Sequence, residues 1–97
     1  MQTYIIQFKF TDQGIRNIKD TINRAEDFKN AVEKAGGKFV NEYYTFGKYD
    51  IISIVESPDD ETMMSILLNT QSLGNVRSET LKAFSMDEAD KILKHLS

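Results

Sequence analysis

The alternation of apolar and polar residues predicts four β-strands. Residues 3–10 form the first strand, because every second side chain of a strand points to the same side of the sheet. Residues 38–46 and 48–56 have the composition of a second and a third strand, and residues 73–84 contain a fourth. The apolar face of the first strand consists of Tyr4, Ile6, Phe8 and Phe10.

The second and third strands meet at Gly47. So short a connection predicts an antiparallel hairpin. A two-residue loop that ends at this glycine would place Tyr43 opposite Asp50 and Tyr44 opposite Tyr49. The hairpin therefore concentrates three tyrosines and a carboxylate at one end of the predicted sheet.

An apolar repeat at helical spacing predicts helix between the first two strands. Thr11 or Asp12 can cap its beginning, and Gly36 or Gly37 supplies the left-handed residue that ends it. The polar interval over residues 23–27 predicts a break between a short helix and a longer one. The predicted buried stripe consists of Ile15, Ile18, Ile22, Ala25, Val32 and Ala35.

Two further helices are predicted from their start signals. Ser57 as a cap and Pro58 at the first helical position begin one of them, and Ser85 with Glu88 forms a capping box that begins the last. The buried side of the first of these helices is predicted as Met63, Ile66, Leu67 and Thr70. The stripe of the last helix is predicted as Met86, Ala89, Ile92, Leu93 and Leu96.

The resulting element order predicts an α+β fold over residues 1–97 as a single domain. The order βαββαβ, followed by an extra C-terminal helix, is that of the ferredoxin-like arrangement, in which helices cover one face of a four-stranded antiparallel sheet. The expected spatial order of the strands is 4-1-3-2. No repeat, linker or low-complexity segment interrupts the pattern.

Two strands of this predicted sheet are apolar on both faces. A sheet covered on one side alternates apolar and polar residues, whereas the third strand carries Ile51, Ile52, Ile54 and Val55. The second strand also places aromatic or aliphatic residues on each face. A second copy of the chain is the simplest cover for the outer face, so we expect a homodimer or a higher homo-oligomer.

Composition excludes several classes of function. The net charge is −3 and the 12 basic residues are scattered, which argues against nucleic acid as a partner. The chain has no cysteine, so disulfides and thiolate chemistry are excluded. The first ten residues resemble neither a signal peptide nor a membrane span, and we expect a cytoplasmic protein without membrane association.

The hairpin residues admit two interpretations. In the structural one, Tyr44 and Tyr49 stack across the strands, and Asp50 bonds to backbone N–H groups near the turn or to the Tyr43 hydroxyl. In the functional one, these tyrosines and Asp50 lie at the rim of a cleft and orient a small polar or aromatic metabolite.

Three other side chains are candidates for chemistry. Arg77 can bind a ligand carboxylate, or it can pair with Glu79 on the same strand. Arg24 likewise can bind a ligand or have a structural role. His95, the one histidine, lies near the C-terminus and has no neighbouring ligands, so we expect no metal and no cofactor. Catalysis would require Asp50 or Glu42 to lie in an apolar pocket with a raised pKa.

The chain resembles the GYD domain family. Gly47, Tyr49 and Asp50 match the letters of the name, with Lys48 between the first two. The flanking segments TDQGI, AGGK, SPDD and SMDEADKI agree in order and spacing over nearly the whole chain. The hairpin is also similar, more remotely, to the effector-binding domains of feast/famine regulators, although their helix-turn-helix is lacking here.

This resemblance implies a ferredoxin-like fold of the dimeric α/β-barrel type, in which two sheets pack face to face. It implies no specific activity. Our hypothesis is a homo-oligomeric small-molecule-binding or interaction module without catalysis. The alternative is a small cofactor-independent enzyme of oxygenase or isomerase type that uses the same cleft.

Overall fold

The computed structural model describes residues 1–96. Four strands, four α-helices and one 3-10 turn follow one another along this part of the chain. Their bounds are β1 Gln2–Phe10, α1 Asp12–Arg16, the 3-10 turn Ile18–Asp20, α2 Thr21–Lys34, β2 Lys38–Tyr44, β3 Ile51–Ser57, α3 Asp60–Ser72, β4 Val76–Ala83 and α4 Met86–Leu93.

The four strands form one antiparallel sheet in the order β2-β3-β1-β4. This is the spatial order 4-1-3-2 expected from the sequence. The helices α2 and α3 lie side by side against one face of the sheet, which is an α+β architecture of the ferredoxin-like kind. The opposite face, called here the outer face, has no helix of the described residues over it.

The core lies between the sheet and the helices α2 and α3. The predicted apolar face of β1 is confirmed, since Tyr4, Ile6 and Phe8 are buried and Phe10 packs against the core. Phe28 of α2 meets the Phe8 ring edge-to-face, with the ring centroids 5.4 Å apart. The other buried apolar residues are Val32, Ile51, Val55, Met63, Leu67 and Val76.

The helical region after β1 differs from the prediction. Thr11 caps α1 as expected, because its Oγ1 accepts the backbone N–H of Gly14 at 3.1 Å. The break, however, lies at residues 17–20 and not at residues 23–27, which are inside α2. A break resets the helical phase, so positions spaced three or four apart across it no longer share a face.

The predicted buried stripe of this region is therefore largely wrong. Ile15, Ile18 and Ile22 are exposed, and Ala35 is exposed as well. The buried side chains of α2 are Val32, which was predicted, and Phe28, which was not. The helix ends as expected at Gly36, whose φ of 86° is left-handed.

The hairpin register also differs from the prediction. The loop spans residues 45–50, so Tyr43 pairs with Ile52 and Tyr44 with Ile51. The expected pairs of Tyr43 with Asp50 and of Tyr44 with Tyr49 are wrong. A β-bulge between Phe39 and Asn41 shifts the register of β2, because one extra residue on one strand reverses the faces that follow it.

The starts of the last two helices were predicted with unequal success. Asp59, and not Ser57, caps α3, with its Oδ1 accepting the Thr62 N–H at 2.7 Å. Ser57 is still part of β3, where it pairs with Gln2, so its backbone is committed to the sheet. The capping box of Ser85 and Glu88 at the start of α4 is confirmed.

The helix α4 has no buried residue. Its predicted apolar stripe is exposed to solvent in the single chain, and Met86 is 90% exposed. Phe84, which leads into the helix, is exposed too. A helix of eight residues is marginal in water without a packing partner, so α4 is the element of this chain that most needs one.

Candidate functional site

The hairpin tyrosines lie on opposite faces of the sheet. Tyr44 is opposite the buried Ile51 on the helix side, where its hydroxyl is 2.9 Å from Oγ1 of Thr21 in α2. Tyr43 is on the outer face, where its hydroxyl accepts a hydrogen bond from Asn41 Nδ2 at 2.8 Å. The structure therefore does not bring these two tyrosines into one cleft.

Asp50 is engaged by the backbone of β1. Its Oδ2 accepts the Phe10 N–H at 2.9 Å, and its own N–H donates to the Phe8 carbonyl at 2.9 Å. The Asp50 carbonyl closes the loop by accepting the Thr45 N–H at 2.8 Å. The structural interpretation is right that Asp50 accepts a backbone N–H, but the donor is Phe10 in β1 and neither a group near the turn nor the Tyr43 hydroxyl.

Tyr49 is directed toward β4. Interaction of its hydroxyl with the Glu79 carboxylate, and to a smaller extent burial, raises its pKa above the ordinary 10.0. Arg77 lies two residues before Glu79 and is exposed. Within residues 1–96 the ion pairs are Lys82–Asp60 and Lys94–Asp90, so the expected Arg77–Glu79 pair does not form.

A pocket of about 100 Å³ lies on the helix side of the sheet. It is bounded by α2, by the end of α3 and by all four strands, and its wall is largely apolar. The apolar lining consists of Phe8, Phe10, Ala25, Phe28, Ala31, Ile51, Leu73 and Val76. The polar lining consists of Thr21, Arg24, Asp27, Glu42, Asn69, Thr70 and Asn75.

Glu42 is the carboxylate on the floor of this pocket. The bulge in β2 places it opposite the buried Ser53, so that it points toward the helices. The Ser53 hydroxyl donates a hydrogen bond to Oε1 of Glu42. Burial raises the pKa of Glu42 above its ordinary 4.5, and the bond from Ser53 opposes this shift in part.

Glu42 therefore lies in an apolar pocket with a raised pKa, as the sequence analysis required for catalysis, whereas Asp50 does not line this pocket. A single register shift decided this, because without the bulge Glu42 would lie on the outer face. The alternation of the sequence could not show the bulge. The one signal in the sequence was a glutamate directly before the two tyrosines of the second strand.

Arg24 borders the pocket but is held by backbone groups. Its guanidinium donates to the Asn17 carbonyl at 2.8 Å and to the Gly14 carbonyl at 3.5 Å. These bonds satisfy carbonyls at the break between α1 and α2, where helical partners are missing. Arg24 therefore stabilises the break, a role that the sequence did not predict.

No group of three or more acidic or histidine side chains in residues 1–96 is placed to hold a metal ion. His95 lies beyond the end of α4 and is exposed. None of the helices described for those residues has the length and apolarity needed to cross a membrane.

The fold and the exposed outer face define a class of small α+β proteins with a ferredoxin-like sheet. The GYD domain family model matches residues 4–93. This chain therefore belongs to the GYD domain family, as its hairpin and flanking segments indicated.

Proteins from Thermus thermophilus share this chain's sequence or fold. One of them, named glutamine synthetase and cystathionine beta-lyase binding protein, is 28% identical over 95 residues, which are 97% of this chain and 100% of that protein. A crystal structure of a protein from the same organism has 24% identity and a TM-score of 0.56, covering 88% of this chain and 95% of that one.

A feast or famine regulatory protein from M. tuberculosis, complexed with L-methionine, has a similar fold. Its TM-score is 0.67 at 13% identity, and the match covers 89% of this chain. This chain spans about half of that regulator, 52% of its length. The likeness shows a shared α+β fold.

Proposed function

We propose that this protein is a non-catalytic interaction module that self-associates through the outer face of its sheet. The arrangement would be of the dimeric α/β-barrel type, with two sheets packed face to face. The observation that carries the proposal is an apolar row that crosses β4, β1 and β3 on the outer face and ends at Asn41 of β2.

The register of the sheet builds this row. Ile5 of β1 pairs with Ile54 of β3 on one side and with Leu81 of β4 on the other. The neighbouring row contains Tyr43 beside Ile52. On the two edge strands Leu81 is 51% exposed and Tyr43 is 53% exposed, and the isoleucines of the central strands between them are half-buried, so this face presents a contiguous apolar patch.

The rim of the outer face carries charges of both signs. Lys38 and Glu56 lie at one end of the sheet, and Lys9, Arg77 and Glu79 lie at the other. An apolar centre with a rim of mixed charge is the usual anatomy of an interface. In a dimer related by a two-fold axis, acidic groups of one copy can lie against basic groups of the other, and neither sign of charge is in excess.

The proposed interface includes the exposed helix α4 as well as the sheet. Four strands spaced about 4.8 Å apart, with a rise of about 3.3 Å per residue, have a footprint of about 450 Å². Specific dimers bury about 800 Å² per partner. The exposed stripe of α4 and Phe84 supplies apolar area that a second copy can cover.

The name of the T. thermophilus relative, a binding protein for two enzymes, supports an interaction role in general terms. It matches this chain over nearly the full length of both proteins. We infer from it only that proteins are the class of partner to test once the assembly of this chain is known.

Light scattering or sedimentation at micromolar concentration tests the proposal. We expect more than one chain per particle for the unmodified protein and a monomer for Ile54→Glu. The matched control is Ile15→Glu, which changes an exposed isoleucine of α1 and should leave the assembly intact. A monomer for the unmodified protein, with the circular dichroism of the described fold, would refute self-association.

A further inference from the structure

The pocket at Glu42 lies on the side of the sheet away from the proposed interface. Its wall is formed by α2, α3 and the sheet, so packing of two outer faces would leave it open. Ligand binding there is a separate property of the chain, and it does not rest on self-association.

The Glu42 carboxylate has an oxygen available for a ligand. Oε1 accepts the Ser53 hydroxyl, and no hydrogen bond to Oε2 is present within residues 1–96. No buried side-chain oxygen or nitrogen of the described residues lacks a partner, so Oε2 is open to solvent and to a ligand, while the partial burial of the carboxylate still carries a desolvation cost. The donor that offsets this cost most strongly is a cation, because charge-assisted hydrogen bonds are about twice as strong as neutral ones.

The rest of the wall favours an organic cation. Phe8, Phe10 and Phe28 line the pocket, and their rings give the carbon chain of such a ligand an apolar surface to pack against. The edge-to-face contact of Phe28 with Phe8 holds two of these rings at nearly right angles. Carboxylate and phenyl rings together are the chemistry that recognises organic ammonium groups.

The charged groups around Glu42 leave this preference in place. The helix α2 contributes Arg24 and Asp27, while α3 contributes the uncharged Asn69 and Thr70. Arg24 is bonded to two backbone carbonyls, which reduces its capacity to neutralise Glu42. An anionic ligand would face the carboxylates of Glu42 and Asp27 and a guanidinium, that of Arg24, which is already bonded to backbone carbonyls. The pocket therefore disfavours an anion.

We infer that this pocket binds a small protonated amine with a short apolar chain, the ammonium group bonding to Glu42 and the chain lying among the phenylalanine rings. The volume of about 100 Å³ is small beside the roughly 300–1,000 Å³ of pockets that take drug-sized ligands. The buried part of the ligand is therefore no larger than a short alkyl chain, and larger substituents would extend out of the pocket.

Titration of the labelled protein with n-butylammonium, followed by NMR, tests the inference. We expect saturable shifts at the amides of Phe28, Asn69 and Thr70. The neutral isostere n-butanol and the anion butyrate should bind about tenfold to a hundredfold more weakly, as expected when a charge-assisted bond is lost. Equal affinity for n-butanol, or no shift at these amides, would overturn the inference.

Two variants separate recognition from folding. Glu42→Gln keeps the shape of the side chain and the acceptor for Ser53, and it should weaken n-butylammonium binding about tenfold or more. Glu79→Gln, on the outer face, should leave the affinity unchanged. If Glu42→Gln binds n-butylammonium as tightly as the unmodified protein, Glu42 is not the recognition group and the inference fails.

The pH dependence gives a further readout. The amine stays protonated over the neutral range, whereas Glu42 pairs with the ammonium group only when its carboxyl is ionised. Binding should therefore strengthen as the pH rises through the raised pKa of Glu42. Asp27 and Arg24 are the other charged groups that face the pocket. The dependence should disappear in Glu42→Gln, and its persistence there would assign the titration to another group and overturn the role of Glu42.

Discussion

Oδ2 of Asp50 accepts the backbone N–H of Phe10 at 2.9 Å, just beyond the point where β3 ceases to pair with β1. The last regular pair of those strands is Phe8 with Ile51. The aspartate side chain therefore takes the place of a strand partner, and the hairpin loop is fastened to the central strand. This position explains why the loop needs a short acceptor next to the end of β3.

Replacement of Asp50 by alanine should destabilise the fold. The Phe10 N–H would lose its acceptor, and a partly buried donor without a partner costs about 1–3 kcal/mol. Asp50→Asn should cost less, because the amide oxygen can still accept. Urea denaturation of the three proteins measures both effects, and equal midpoints for Asp50→Ala and the unmodified protein would rule out this role.

Gly14 should not tolerate a side chain, although it lies in a helix. A β-carbon on this residue would lie 2.0 Å from the Asn75 carbonyl oxygen, and that oxygen is already bound to the Thr11 N–H at 3.1 Å. Gly14→Ala should therefore force the chain apart and cost about 1–3 kcal/mol, measured by thermal or urea unfolding. The control Ser65→Ala, at an exposed site in α3, should lie within about 0.5 kcal/mol of the unmodified protein.

Glu42→Gln should stabilise the protein at neutral pH. Since burial raises the pKa of Glu42, the folded state holds this proton more tightly than the unfolded state does. Stability is then lost as the pH rises from the unfolded pKa of 4.5 through the raised folded value. The urea midpoint of the variant should exceed that of the unmodified protein at pH 7, and the difference should shrink below pH 4.5. An advantage independent of pH would contradict this account.

Tyr4 should be the last tyrosine to ionise. Burial, together with the hydrogen bond that its hydroxyl donates to Asp60, raises its pKa to about 12. The folded state retains this proton, so stability is complete below the ordinary value of 10.0 and is lost as the pH rises toward 12. Ultraviolet titration measures the ionisation, and Tyr4→Phe should remove the highest step. A spectrum that keeps that step in the variant would assign it to another tyrosine.

Local sequence signals predict the elements and their order. Periodicity identified four strands, and the capping box at Ser85 and Glu88 placed the start of α4 correctly because both partners lie within four residues. The same is true of Gly36, where only local backbone conformation is needed. All the residues that form such a signal lie within a few positions of one another, so the signal can be read without knowledge of the tertiary contacts.

The tertiary structure decided which faces the residues occupy. The bulge between Phe39 and Asn41 turned Glu42 into the pocket, and the break after α1 left the isoleucines beside it exposed. Each depends on contacts between separate segments, such as the packing of α1 against Asn75 just before β4 or the pairing of β2 with β3. One residue of register reverses every side chain of a strand, so a pattern that fixes the strand does not fix its faces.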